Sequence, residues 1–223
     1  INQGTQTLTN TYMCQWVDSD LGGINDDYVG CDVQRGLGYT YNGDAFDESD
    51  SFSIGYGENP PAFGVDFFEG PYQDADSIDN PLTDNFSNAV DSLGIPYEGI
   101  GIGYGDGVVD NERFGMRRFV YYNNSGNQIN GEPSTPLHFY NYMNGIWKNG
   151  QKMAYGGDGV SAATGANLDI EADYMFPGDT DPFNWGTGGT TVDPWTEVTS
   201  GNPPADRRFI PVSYTHLTLP TSG

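Results

Sequence analysis

The stretch WVDSDLGGINDDYVGCD, Trp16 to Asp32, gathers Asp18, Asp20, Asp26, Asp27 and Asp32 with neither Lys nor Arg among them. Like charges at this spacing repel, so any fold the chain adopts must set water, a metal ion or a cationic partner between them. The bias extends to the whole chain, where 31 acids face 8 Lys and Arg for a net charge of −23. Such a chain has no basic face for phosphates, which argues against nucleic acid and against an anionic membrane surface as partners. Divalent cations are the natural counter-charge, and hard carboxylate and carbonyl oxygens suit Ca²⁺ best. The competing reading is an acidic surface that only keeps the protein in solution.

The rest of the sequence describes a folded, strand-rich chain. Aromatic residues make up 14% of it, too many for a disordered segment, and the 32 glycines do not recur every third residue, so it is not collagen-like. Residues 5–17 alternate, with Leu8, Tyr12, Cys14 and Trp16 on one face and Thr9, Thr11 and Gln15 on the other, which predicts a half-buried strand. Further strands are expected at LGYTY (37–41), FGVDFF (63–68) and MRRFVYY (116–122). One short helix is expected near 136–144, capped by Thr135, begun by Pro136 and ended by Gly145, with Leu137, Tyr140 and Met143 sharing a face. Asn149-Gly150 within IWKNGQKM predicts a type I′ hairpin, and Asp158–Trp195 reads as mostly loop. The expected class is all-β, sandwich-like, with long Gly- and Asp-rich loops in a single domain over residues 1–211. No apolar run approaches the ~18 residues of a membrane helix. No signal peptide is visible, and because the chain begins at Ile1 rather than Met, its start does not decide whether a targeting segment precedes it.

Two groups of acids carry candidate metal chemistry. In the first, Asp18, Asp20, Gly23 and Asp26 fall at the first, third, sixth and ninth places of an EF-hand loop, but Val29 stands where a bidentate Glu belongs and no helix follows. The reading is therefore a sandwich-loop Ca²⁺ site of Asp18, Asp20, Asp26, Asp27 and Asp32, with Asn42 and Asp44 near enough to contribute. The second group is split between DADSIDN, with Asp74, Asp76, Asp79 and Asn80, and GDGVVDNE, with Asp106, Asp110, Asn111 and Glu112. Its D-G-x-x-D-x-E spacing matches the later half of a Ca²⁺ loop, and the earlier aspartates complete it if the intervening segment bulges out. The run Asp44–Asp50 has poorer spacing and reads as a solvated loop.

Nothing in the sequence assigns a catalytic residue. His138 reads as a structural or surface histidine. No G-x-S-x-G, H-E-x-x-H or Walker pattern is present. Paired acids with aromatics occur in glycoside hydrolases, but 31 acids guarantee pairs by chance. Trp16, Trp147, Trp185 and Trp195 are candidates for stacking on sugars or, more commonly, for the core. The Arg pair in NPPADRRF is expected to anchor acidic loops. Cys14 and Cys31 admit either a disulfide or two thiols.

The segments TNTYMCQWVDSDLGGINDDYVGCDVQRGLGYTYNGD, NPPAFGVDFFEGP, RRFVYYNN, NYMNGIWKNG and NPPADRRF, in this order over most of residues 5–210, resemble a group of large, uncharacterised secreted proteins of Bacteroidota. Those proteins commonly end in a type IX secretion sorting domain, which this sequence lacks. The resemblance implies an extracellular or cell-surface protein and no particular activity. The last segment, Val212–Gly223, differs in composition and resembles a translated sequencing adapter, so it is expected to be a non-native tail on a fragment. The expected function is a Ca²⁺-stabilised structural or adhesion module with glycans or other surface proteins as partners. The alternative is a carbohydrate-binding or glycoside-acting domain.

Overall fold

The computed structural model describes residues 11–66, 69–73, 75–81 and 101–215. Leu8, Thr9, Phe67, Phe68 and Asp74 lie outside them. In chain order the strands are β1 (Thr11–Cys14), β2 (Val17–Asp18), β3 (Asp27–Asp32), β4 (Leu37–Asn42), β5 (Phe46–Asp47), β6 (Gly57–Glu58), β7 (Ala62–Asp66) and β8 (Arg118–Asn123). They are followed by helix α1 (Pro136–Met143), β9 (Ala154–Tyr155), β10 (Asn167–Glu171), helix α2 (Glu197–Ser200) and β11 (Arg207–Thr215). The fold is all-β.

The principal sheet is built around the last strand. β11 pairs antiparallel with β8 along one edge, from Arg207↔Asn123 to Val212↔Arg118. Along its other edge it pairs with β2 at Arg208↔Asp18 and then with β1 up to Thr11↔Thr215. β1 and β2 are one strand interrupted at Gln15 and Trp16, where the Gln15 N–H still reaches the Pro211 carbonyl at 3.1 Å. The interruption changes which side chains face inward. Val17 is buried and Trp16 is exposed, whereas strict alternation from Tyr12 and Cys14 would have buried Trp16. β11 also runs without a break through Pro211 and Val212, and Val212 and Ser213 are fully buried.

A second antiparallel sheet, in the order β3-β4-β7, lies against the first. Gly38 of β4 lets the two approach: a Cβ there would come within 2.7 Å of both Phe119 of β8 and Phe209 of β11. Those rings pack 5.4 Å apart at the centre of a core that continues through Tyr121, Trp147, Phe176 and Trp195. β3 corrects the expected acidic loop. Asp27–Asp32 is a strand in which every residue is buried. Its charges stand at its two ends, while Tyr28, Val29, Gly30 and Cys31 between them cover the core. Both cysteines are free thiols: Cys31 Sγ lies 3.5 Å from the Met175 carbonyl and Cys14 Sγ lies 3.6 Å from Met143 Sδ.

Helix α1 forms where expected, because the Thr135 hydroxyl accepts the His138 N–H, Pro136 takes the first turn and Gly145 closes the end at φ +67. Its buried side chains differ from the expected face. Leu137 and Tyr140 are exposed, and Tyr142 is the anchor, its ring stacked on Tyr122 at 5.5 Å and edge-on to Trp147 at 6.1 Å. The Asn149-Gly150 turn is a hairpin of another type. Gly150 N–H reaches the Trp147 carbonyl, Trp147 N–H reaches Gln151 and only Gly150 has positive φ. That is a three-residue loop with a glycine bulge, since type I′ would need positive φ at Asn149 as well. The segment 158–195 is largely irregular but contains β10, paired with β9.

Candidate metal centre

Among the described residues, Asp18, Asp20 and Asp206 offer carboxylate oxygens that all lie within 4.8 Å of one another. Asp18 ends β2, Asp20 follows in the turn, and Asp206 is the residue before β11. The β2–β11 register therefore brings together acids from opposite ends of the chain. Asp20 holds a positive φ of 39°, an uncommon conformation for a residue other than glycine or asparagine. Arg208, opposite Asp18 in the ladder, pairs with it at 2.8 Å and with Glu132 at 2.6 Å. The Asp206 carboxylate accepts from Asn124 at 2.8 Å. Burial, then the Asp18 charge, push the Asp20 carboxyl above its usual range. The cluster keeps an excess of negative charge that one shared arginine does not cancel.

Asp26 and Asp27 face a different place, beneath the turn at Gly22 and Gly23. The Asp27 Oδ2 accepts the Leu21 N–H at 3.3 Å, but its Oδ1 and both carboxylate oxygens of Asp26 are buried and accept no hydrogen bond. The Oδ1 of Asn42, directly across the β3–β4 ladder from Asp27, is likewise buried without a donor. Asp47 lies alongside, 1% exposed, with its two oxygens taken by the N–H groups of Gly23 and Tyr56 at 2.7 and 2.8 Å. Asp47 thus departs from the solvated loop expected over Asp44–Asp50, while the Asp44 and Asp50 side chains cap their own turns. Burial pushes the Asp27 carboxyl up to about 7, with the charges of Asp26, Asp47 and Asp206 adding to it. Burial and then Asp47 raise Asp26 as well. Asp32 joins neither group, because it closes the β3–β4 turn by accepting the Arg35 N–H at 3.1 Å and pairing with the guanidinium at 2.5 Å.

In the second sequence group, backbone donors take up the carboxylates. Asp110 accepts Asp76 and Ser77 N–H, each at 2.8 Å. Asp79 accepts Gly105 and Gly107, Asp106 accepts Val108 and the Asn111 amide, and Asp76 accepts Ile78. Glu112, 2% exposed, accepts the Asn80 N–H at 2.7 Å. The expected juxtaposition of 76–80 with 106–112 is present, and in it the acids serve as the hydrogen-bond acceptors of their own loops.

The remaining candidates are structural. Trp147, Trp185 and Trp195 are buried, Trp195 packing edge-on to Tyr155 and Phe176, while Trp16 is exposed and leans on Phe139 and Tyr122 at 5.1 and 5.7 Å. His138 accepts the Ser134 N–H through Nδ1 at 3.3 Å. The expected Arg anchoring occurs at Arg207, whose guanidinium is buried against Glu197 at 2.8 Å. Sequence reasoning missed Asp206 as a site residue. The only signal was an acid beside the Arg pair, and its partnership with Asp18 and Asp20 follows from a strand pairing that no local pattern encodes. No helix among the described residues is long and apolar enough to cross a membrane. No family model, curated protein or solved structure matches the chain.

Proposed function

We propose that the chain is a Ca²⁺-stabilised structural or adhesion module of an extracellular or cell-surface protein. The observation that supports it is the convergence of Asp18, Asp20 and Asp206 where the first and last strands meet. A divalent cation at that point ties the turn after β2 to the start of β11 and relieves the repulsion the pairing creates. Because it binds only the folded form, it stabilises by mass action, about 2.7 kcal/mol at a hundredfold excess over Kd. The test is thermal unfolding in EDTA, in millimolar Ca²⁺ and in millimolar Mg²⁺. Tm rises in Ca²⁺ and not in Mg²⁺, and the rise shrinks in Asp20→Asn/Asp206→Asn. A wild-type melting curve that ignores Ca²⁺ overturns the reading.

The cleft of about 260 Å³ beside Tyr155, Asp179, Asp181, Asn184 and Asp193 supports glycan binding as a second reading, since it joins an aromatic ring to several carboxylate and amide groups. A glycan array separates the two. Sugar binding that is lost in Tyr155→Ala and indifferent to EDTA favours this cleft over the acidic cluster.

A further inference from the structure

Four buried oxygens, both of Asp26, one of Asp27 and the amide oxygen of Asn42, accept no hydrogen bond. Asp27 and Asn42 are more than nine-tenths buried and stand opposite each other on adjacent strands, so their side chains leave the sheet on one face. The Asn42 amide cannot be turned around. Its Nδ2 donates to the carbonyls of Asp44 and Phe46, each at 3.2 Å, and the reverse orientation would set oxygen against oxygen. The deficit is therefore one-sided: a group of acceptors lacks donors. Folded proteins leave few buried polar atoms unpartnered, and each is expensive.

The identity of the missing partner follows from charge. Asp47 adds its charge to the surroundings of Asp26, and the Glu48 carboxyl lies within hydrogen-bonding reach of the Asp26 side chain, acid against acid. No ion pair among the described residues brings a Lys or Arg to Asp26, Asp27 or Asp47. Water supplies donors but does not offset adjacent buried charges. The donor set contains oxygen alone, with neither His nor Cys, which selects a hard cation over a transition metal.

We propose that Asp26, Asp27 and Asn42 form an inner cation site, separate from Asp18, Asp20 and Asp206, that takes a hard divalent ion of the Ca²⁺ type. This rests on the cation-binding reading above but names different ligands. An ion here fastens the start of β3 to the end of β4, whereas the outer cluster fastens β2 to β11.

The experiment is equilibrium dialysis of the EDTA-stripped full chain against ⁴⁵Ca²⁺, for wild type, Asp27→Asn, Asp26→Asn and Asp20→Asn/Asp206→Asn. Circular-dichroism melts establish that each variant is folded. Wild type should hold one ion more than Asp27→Asn or Asp26→Asn, and the outer double variant should keep that ion. Either inner variant suffices, so a folding failure of one leaves the other decisive. An Asp27→Asn or Asp26→Asn chain that retains every ion overturns the inner site. If only the outer double variant loses an ion, the outer reading stands and the inner one falls. If only the inner variants lose an ion, the inner site stands and the outer one falls, and a wild type that binds nothing removes both. An Asp27→Asn variant with unchanged Ca²⁺ binding and the same rise in Tm in EDTA and in Ca²⁺ means that a shared proton occupies the place assigned to the ion, which also overturns it.

Discussion

The two acidic regions, Asp18–Asp27 and Asp76–Glu112, have similar composition and opposite physical situations. Among the described residues of the later region, Asp76, Asp79, Asp106, Asp110 and Glu112 each receive a backbone N–H from their own loops, as when Asp110 takes two from Asp76 and Ser77 and Asp79 takes two from Gly105 and Gly107. In the earlier region the acids meet other acids, and several oxygens receive nothing. Density of negative charge therefore says little about ion binding. What separates the regions is whether the local backbone turns its donors toward the side chains, which it does where Gly103, Gly105 and Gly107 adopt positive φ.

The largest effect belongs to an acid whose partner is built into the protein. Glu197→Ala strands the buried Arg207 and removes the acceptor of the Val29 N–H, so we expect a loss of about 3–5 kcal/mol in urea unfolding, equal in EDTA and Ca²⁺. Next comes Asp173, where burial works to raise the carboxyl but Arg117 and Arg118, at 2.7 and 2.6 Å, outweigh it and hold it below its usual range. A depressed folded-state value contributes stability above the unfolded value of about 4, lost as pH falls through the folded value. Asp173→Asn should therefore cost about 2 kcal/mol near neutrality, and the difference from wild type should shrink in melts below about pH 4. Glu112→Ala unpairs the Asn80 N–H and is expected to cost about 1–3 kcal/mol, again whether or not Ca²⁺ is present. The smallest effect has the opposite sign. In EDTA, Asp27→Asn removes a buried charge that faces Asp26 and Asp47 and should raise stability by about 1 kcal/mol. A destabilised Asp27→Asn in EDTA, or a Ca²⁺-dependent Glu112→Ala, would erase the distinction between the regions.

Much of the framework was legible because it is local. The helix over Pro136–Met143 follows from Thr135, Pro136 and Gly145, and β4 and β8 follow from aromatic and β-branched runs. What escaped was decided by tertiary context. β3 was hidden by the aspartates at its ends, which read as loop although the residues between them are core. β11 was hidden because Val212–Gly223 reads as a tail and because its arginines and Pro211 read against a central strand, yet Val212 and Ser213 are buried, Arg207 is buried because Glu197 meets it and Pro211 sits in the ladder between two neighbours. The acids of the candidate sites were visible as a set, but their sorting was not. Asp32 went to a turn, Asp47 to two backbone N–H groups, and Asp206 joined from the far end of the chain.

The position of β11 sets the order in which the principal sheet can form. Its pairing with β1 joins opposite ends of the described chain, and its pairing with β8 closes a loop that contains α1, β9, β10 and α2. Contacts at such sequence separation incur loop-closure entropy before they return any stability, which places a chain like this among slow folders. During synthesis, β1, β2 and β8 emerge as edges with no strand between them, and only the arrival of Arg207–Thr215 lets them coalesce. Until then the negative charge spread along the earlier segments, by keeping unpaired chains apart, is what protects them from aggregation.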